Sequence, residues 1–94
     1  MRYDLTPNLD SRKSFYGKAI VTDGRNEDNV LTIRLYSYDT LVAEVLYHPN
    51  ENRVRKELVI YGFYSATTLR HIKEFAYLEI GIVGTKKDLE KYLV

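Results

Sequence analysis

Val30-Leu31-Thr32-Ile33-Arg34-Leu35-Tyr36, Ser37-Tyr38-Asp39-Thr40 and Leu41-Val42-Ala43-Glu44-Val45-Leu46-Tyr47 form the continuous stretch that decides the fold. In its first part Leu31, Ile33 and Leu35 alternate with Thr32, Arg34 and Tyr36, the period of two that puts alternate side chains on opposite faces of a strand. In its last part Leu41, Ala43, Val45 and Tyr47 are expected to share a face. The four residues between them read as a short turn, so the two strands make a hairpin.

The same reading extends in both directions. Towards the C-terminus, His48-Pro49-Asn50-Glu51-Asn52 is a cluster of strand breakers. Residues 55–63 follow as another strand, with Leu58 and Ile60 on one face and Val59 and Tyr61 on the other. Towards the N-terminus, Asp23-Gly24-Arg25-Asn26-Glu27-Asp28-Asn29 reads as a hairpin loop with Gly at a turn position. It lacks the ligand spacing of an EF-hand calcium loop. Residues 15–21 precede it as a strand that places Tyr16, Lys18 and Ile20 on one face. Residues 1–14 contain Pro7, Asn8, Asp10 and Ser11 and no sustained period, which predicts an irregular arm.

After Gly62 the apolar spacing changes to three and four residues. Leu69, Ile72, Phe75, Ala76 and Leu78 predict a helix capped by Ser65 or Thr67, with Gly81 and Gly84 at its exit. Thr85-Lys86-Lys87-Asp88 resembles a capping box with Asp in place of Glu, opening a short last helix through Leu93. The predicted class is α+β: a four-stranded antiparallel β-meander followed by one longer and one short C-terminal α-helix packed on one sheet face. One domain is expected over residues 1–94, with the arm at 1–14, the meander at 15–63 and the helical part at 65–94. No internal repeat, linker or low-complexity segment interrupts it.

Composition narrows the function. At 94 residues, 45% apolar and 29% charged, the chain has enough apolar area for a modest core, and a homodimer is one way to bury more. The absence of cysteine excludes disulfides, zinc ribbons and thiol nucleophiles, and fits a reducing compartment. No run reaches the roughly 18 apolar residues that span a bilayer. The N-terminal residues lack the apolar stretch of a signal peptide. A cytoplasmic protein with no membrane role is therefore expected. The net charge of +1 is far below that of most strong nucleic-acid binders, although basic residues cluster locally. Nine tyrosines and no tryptophan suit both pleated surfaces and interfaces.

Catalytic chemistry finds little support. His48 precedes Pro49 in a predicted turn, and His71 is expected on the edge or polar face of the helix. Ser65, His71 and Asp39 could be combined into a triad only on paper, because no nucleophile elbow or oxyanion loop accompanies them. His71 and Glu74 are three apart on a helix, but a metal needs a third ligand. There is no phosphate-binding or dinucleotide motif. The chain is expected not to be an enzyme, and no catalytic residue, metal or cofactor is assigned.

Three segments carry binding chemistry. Ser11-Arg12-Lys13-Ser14-Phe15-Tyr16-Gly17-Lys18 places cations beside rings, the ingredients of single-strand recognition; Arg12, Lys13, Tyr16 and Lys18 are the candidates there. The bland reading is an arm that docks Phe15 and leaves its charges in water. Tyr64-Ser65-Ala66-Thr67-Thr68-Leu69-Arg70-His71 sits where a helix N-terminus would offer free N–H groups. Its candidates are Tyr64, Ser65, Thr68, Arg70 and His71, and simple capping asks for the same residue types. Tyr36-Ser37-Tyr38-Asp39-Thr40 forms a hairpin tip, with Tyr36 and Tyr38 as candidates. Arg34 is expected beside Tyr36 on the outer sheet face, together with Lys18.

The strings Leu5-Thr6-Pro7-Asn8, Asp10-Ser11-Arg12-Lys13-Ser14-Phe15-Tyr16-Gly17-Lys18-Ala19, Leu35 to Ala43, and Tyr64 to Phe75 resemble a family of short uncharacterised proteins. Phages and mobile elements of Gram-positive bacteria encode that family. The resemblance covers about residues 5–78 and leaves residues 79–94 unmatched. It implies a small accessory protein of a mobile element, such as an inhibitor of host defence, anti-CRISPR proteins included, or a nucleic-acid-handling factor. The expected function is non-enzymatic protein binding, with a host defence complex as the partner; the alternative is a nucleic-acid-binding module using the basic arm and exposed tyrosines.

Overall fold

A computed structural model describes residues 1–9, 14–50 and 53–94, with the backbone alone at Asn50. The α+β class and the antiparallel meander hold, but the sheet has five strands. They are β1 (Arg2–Asp4), β2 (Ala19–Arg25), β3 (Leu31–Ser37), β4 (Thr40–Asn50) and β5 (Arg53–Ile60), hydrogen-bonded in chain order. Helix α1 (Ala66–Ile80) follows, then the short α2 (Lys86–Leu89) and a 3₁₀ turn (Glu90–Tyr92).

The extra strand comes from the predicted arm. Arg2, Tyr3 and Asp4 pair with Thr22, Val21 and Ile20, and the Leu5 N–H continues the pairing by donating to the Ala19 carbonyl at 2.9 Å. Three residues are too few to display a period, so the edge of β2 decides this strand. The predicted strand over residues 15–21 is displaced as well. Only Ala19–Arg25 is extended, and residues 14–18 form a turn that buries Phe15 in the core. Gly24 lies inside β2, opposite Thr32, where an added Cβ would stand 2.6 Å from Arg34 Nη1.

The hairpin between β3 and β4 turns through Tyr38 and Asp39, both at positive φ, 51° and 67°. That pair of left-handed residues is the signature of a two-residue hairpin turn matched to strand twist. Just beyond it the register shifts: Tyr36 faces Leu41, yet Leu35 faces Ala43. Val42 is the extra residue and is buried, so Leu41 pairs with Tyr36 on the open sheet face rather than joining Ala43 and Val45. The expected break at residues 48–52 is also later than predicted, since His48, Pro49 and Asn50 still pair with Arg55, Val54 and Arg53. β3 begins only at Leu31, opposite Tyr47, so Pro49 occupies an edge, where a missing donor is tolerated.

Helix α1 crosses β3, β4 and β5 on one face of the sheet. Val21, Ile33, Leu35, Ala43, Val45, Leu58 and Ile60 from the strands enclose Ile72, Phe75 and Ala76 from the helix. Ser65 is the N-cap, its side chain accepting from the Thr68 N–H at 3.1 Å. Gly81 ends the helix at φ 72°, the left-handed conformation favoured at that position. The predicted stripe holds at Ile72, Phe75 and Ala76, which are fully buried, but shifts at its margin. Leu78 is 48% exposed, while the row Thr68, His71 and Glu74 turns inward. The capping box at Thr85 forms as expected: Thr85 N–H donates to Asp88 Oδ2 at 2.8 Å, and Asp88 N–H to Thr85 Oγ1 at 3.3 Å. Leu89 then anchors α2 in the core.

Candidate binding site over His71

His71 is the main departure from expectation. Predicted on the helix edge, it is 1% exposed. Its Nδ1 lies 2.8 Å from Ser37 Oγ, and Ser37 Oγ lies 2.9 Å from Thr68 Oγ1. The three polar side chains satisfy one another where the end of β3 meets the first turns of α1. The Phe15 ring stands edge-on to the imidazole at 4.5 Å between centroids, and the Tyr38 ring leans over it at 5.8 Å. Burial pushes the His71 pKa down to about 4, so the ring is neutral at pH 7. If Ser37 donates to Nδ1, the ring carries its proton on Nε2.

Two turns build the surface above this network. In residues 15–18, Lys18 N–H donates to the Phe15 carbonyl at 3.0 Å, and Tyr16 and Gly17 have φ of 55° and 74°. The second turn is the Tyr38–Asp39 tip. They are joined directly, because Tyr38 N–H donates to the Lys18 carbonyl at 2.9 Å. Tyr64 supplies a third ring from the β5–α1 connection. Its φ is 56°, and around it Ser65 N–H closes onto the Phe63 carbonyl at 2.5 Å, a three-residue turn. The Tyr64 ring covers Gly62, where a Cβ would come within 2.9 Å of it.

Tyr16, Tyr38 and Tyr64 are 75%, 52% and 68% exposed. A left-handed backbone is uncommon for a bulky residue, and here it occurs three times around one patch. Two cavities lie between the rings. The first, of about 230 Å³, is lined by Ser14, Phe15, Tyr16, Lys18, Tyr38, Thr67, Arg70 and His71. The second, of about 280 Å³, runs from Tyr38 to Tyr64 with Ser37, Thr40, Val42, Ser65 and Thr68.

Eight predicted binding residues thus converge: Tyr16, Lys18, Tyr38, Tyr64, Ser65, Thr68, Arg70 and His71. Two do not. Arg34 lies on the open sheet face, where its Nε donates to Glu44 Oε2 at 3.1 Å and its Nη2 reaches the Arg25 carbonyl at 3.4 Å. Tyr61 donates its hydroxyl to the same Glu44, which together with burial pushes the phenol up to about 12. Tyr36 is on that face too, but its neighbour across the sheet is Ile20, not Lys18. Lys18 precedes β2 and lines the His71 cavity. Arg12 and Lys13 lie outside the described residues.

Nothing resembling the paper triad forms. His71 is bonded to Ser37, which in turn meets Thr68, rather than to Asp39 or Ser65, and Asp39 lines a separate hollow with Arg2, Ile20 and Tyr36. Glu74 is not a co-ligand of His71. Its Oε1 accepts the N–H groups of Asn8, at 2.5 Å, and Leu9, tying the N-terminal segment to α1. Its Oε2 is buried with no partner among the described residues. Among those residues no group of His, Asp and Glu could hold a metal ion. Sequence reasoning missed Ser37, although it continues the Leu31, Ile33, Leu35 alternation and so belongs to the helix-facing side.

With this geometry in place, comparison with known proteins assigns a family. The chain belongs to DUF8033. The match covers residues 3–91, and the function of the family is unknown. The match takes in α2 and runs into the 3₁₀ turn, ending at residue 91. No curated protein and no solved structure matches this DUF8033 chain. Among the described residues no helix is long and apolar enough to cross a membrane.

Proposed function

We propose that this DUF8033 protein is a non-enzymatic binding module that acts by occupying a partner through the face formed by Tyr16, Tyr38 and Tyr64. One observation carries the reading: three exposed tyrosines occupy left-handed turn positions around a single buried Ser37–Thr68–His71 network. Large rigid rings on short, mutually bonded turns lose little entropy on binding, and such rings dominate contact energies. The buried serine and histidine argue for support rather than chemistry. The imidazole contacts Ser37 through Nδ1, no carboxylate orients it among the described residues, and its low pKa makes it a weak base.

As an accessory protein of a mobile element, the expected context is a host defence complex, blocked by contact. An interface of roughly 800 Å² on this side would extend beyond the tyrosine face onto the start of α1. The test is affinity capture from host lysate with the native protein and with Tyr16→Ala/Tyr38→Ala/Tyr64→Ala. Loss of a captured component in the triple variant, with circular dichroism unchanged, supports the reading. Identical capture by both proteins refutes it.

A further inference from the structure

The tyrosine face has an internal repeat. From one side to the other it runs Tyr16, cavity, Tyr38, cavity, Tyr64, so that Tyr38 is a wall of both cavities. At about 230 and 280 Å³, each cavity is below the range of drug-sized ligand pockets and suited to one flat ring system. The polar linings are consistent with an anionic ligand. Lys18 and Arg70 line the first cavity, and hydroxyls from Ser14, Thr67, Thr40, Ser65 and Thr68 are distributed over the two. Among the described residues no carboxylate lines either one, and Asp39 lines the separate hollow beside Arg2. The α1 helix, 15 residues long, has no acidic residue in its first turn, and its N-cap Ser65 belongs to the second cavity. That end of the helix also favours negative charge.

A ligand that fits this pattern repeats a planar aromatic unit and carries negative charge between units. From these features we infer that the face binds single-stranded nucleic acid, seating two successive bases in the two cavities with Lys18 on the backbone phosphate. The inference rests on the proposed function and specifies the partner's chemistry. Base stacking on tyrosine needs no particular sequence, because every base has a π-face, and phosphate contact makes the binding salt-dependent. A duplex keeps its bases stacked on each other and cannot enter the cavities. The modest net charge is consistent with a short footprint in which stacking outweighs charge neutralisation.

The experiment is fluorescence anisotropy with labelled ten-nucleotide oligo(dT) and oligo(U), and a duplex of equal length, between low and near-physiological salt. Single strands are expected to bind and the duplex not to. Tyr38→Ala removes a wall of both cavities and should weaken binding by about tenfold or more, whereas Tyr38→Phe retains the ring and most of the affinity. Lys18→Gln should flatten the salt slope by about 0.7 for the single phosphate it contacts. Thermal melts establish that each variant is folded. Absence of single-strand binding at low salt, equal binding of the duplex, or an unaffected Tyr38→Ala variant would overturn the inference. If no oligonucleotide binds while the triple alanine variant still loses a captured protein, only the ligand assignment fails and the binding face stands.

Discussion

Acidification should destabilise the protein through His71 before its carboxylates protonate. The ring has an ordinary pKa of 6.5 and is pushed down to about 4 by burial against Phe15 and Tyr38. Between those values the unfolded chain holds a proton that the folded chain refuses, so stability falls as pH falls. The loss begins near pH 6.5 and is complete near pH 4, where both states are protonated. One pKa unit corresponds to about 1.4 kcal/mol, and allowing for the ring's access to the cavity the total is about 2 kcal/mol. For a domain of this size that is a drop of about 10 °C in melting temperature. The assay is thermal unfolding followed by circular dichroism from pH 7.5 to 4, for the native chain and His71→Gln. The amide is similar in size and does not titrate, so the variant starts less stable but should lose about 2 kcal/mol less over that interval. Parallel pH profiles would show that His71 is not held neutral, and would remove the rigid base beneath Phe15 and Tyr38.

Other consequences are measurable. Ser37→Ala leaves His71 Nδ1 and the Thr68 hydroxyl without their shared partner, and should cost about 1–3 kcal/mol in chemical denaturation. Glu74→Ala removes the acceptor for Asn8 and Leu9, which should free the N-terminal segment and accelerate proteolysis before residue 19 while the sheet stays protected from hydrogen exchange. Gly62→Ala should change stability by less than about 1 kcal/mol, because the added Cβ meets the movable end of the Tyr64 ring. It should nevertheless displace that ring and weaken partner binding, a separation of effects that paired melting and binding measurements would detect.

How much of this was legible in advance varied with element length and with neighbours. The central hairpin was readable because six residues of strict alternation, from Leu31 to Tyr36, fit a strand and little else. The cap at Ser65, the glycine exit at Gly81 and the Thr85 capping box were readable because each depends on residues within one turn of a helix end. The strand Arg2–Asp4 was not, since three residues carry no period and only the free edge of β2 recruits them. The bulge at Val42 was hidden for a related reason: adjacent apolar residues at 41, 42 and 43 fit either phase until Tyr36 and Leu35 select one.

The binding face divides along the same line. Sequence by itself identified the tyrosine-rich turns, the basic residues near Lys18 and the hydroxyl-rich helix start, because residue type determines what a group can contact. It also determined the α+β class and the helix on one face, through local period and local capping. Only the tertiary structure decided that residues 14–18, 37–40 and 64–71 share a site, while Arg34 and Tyr36 belong to the opposite face. The physical reason is rotation and register. A small rotation of the helix buries His71 and exposes Leu78 while Ile72, Phe75 and Ala76 stay in the core, and a strand pairing set two residues differently exchanges Ile20 for Lys18 beside Tyr36. Those phases are chosen by packing between segments far apart in the chain, where no local pattern reaches.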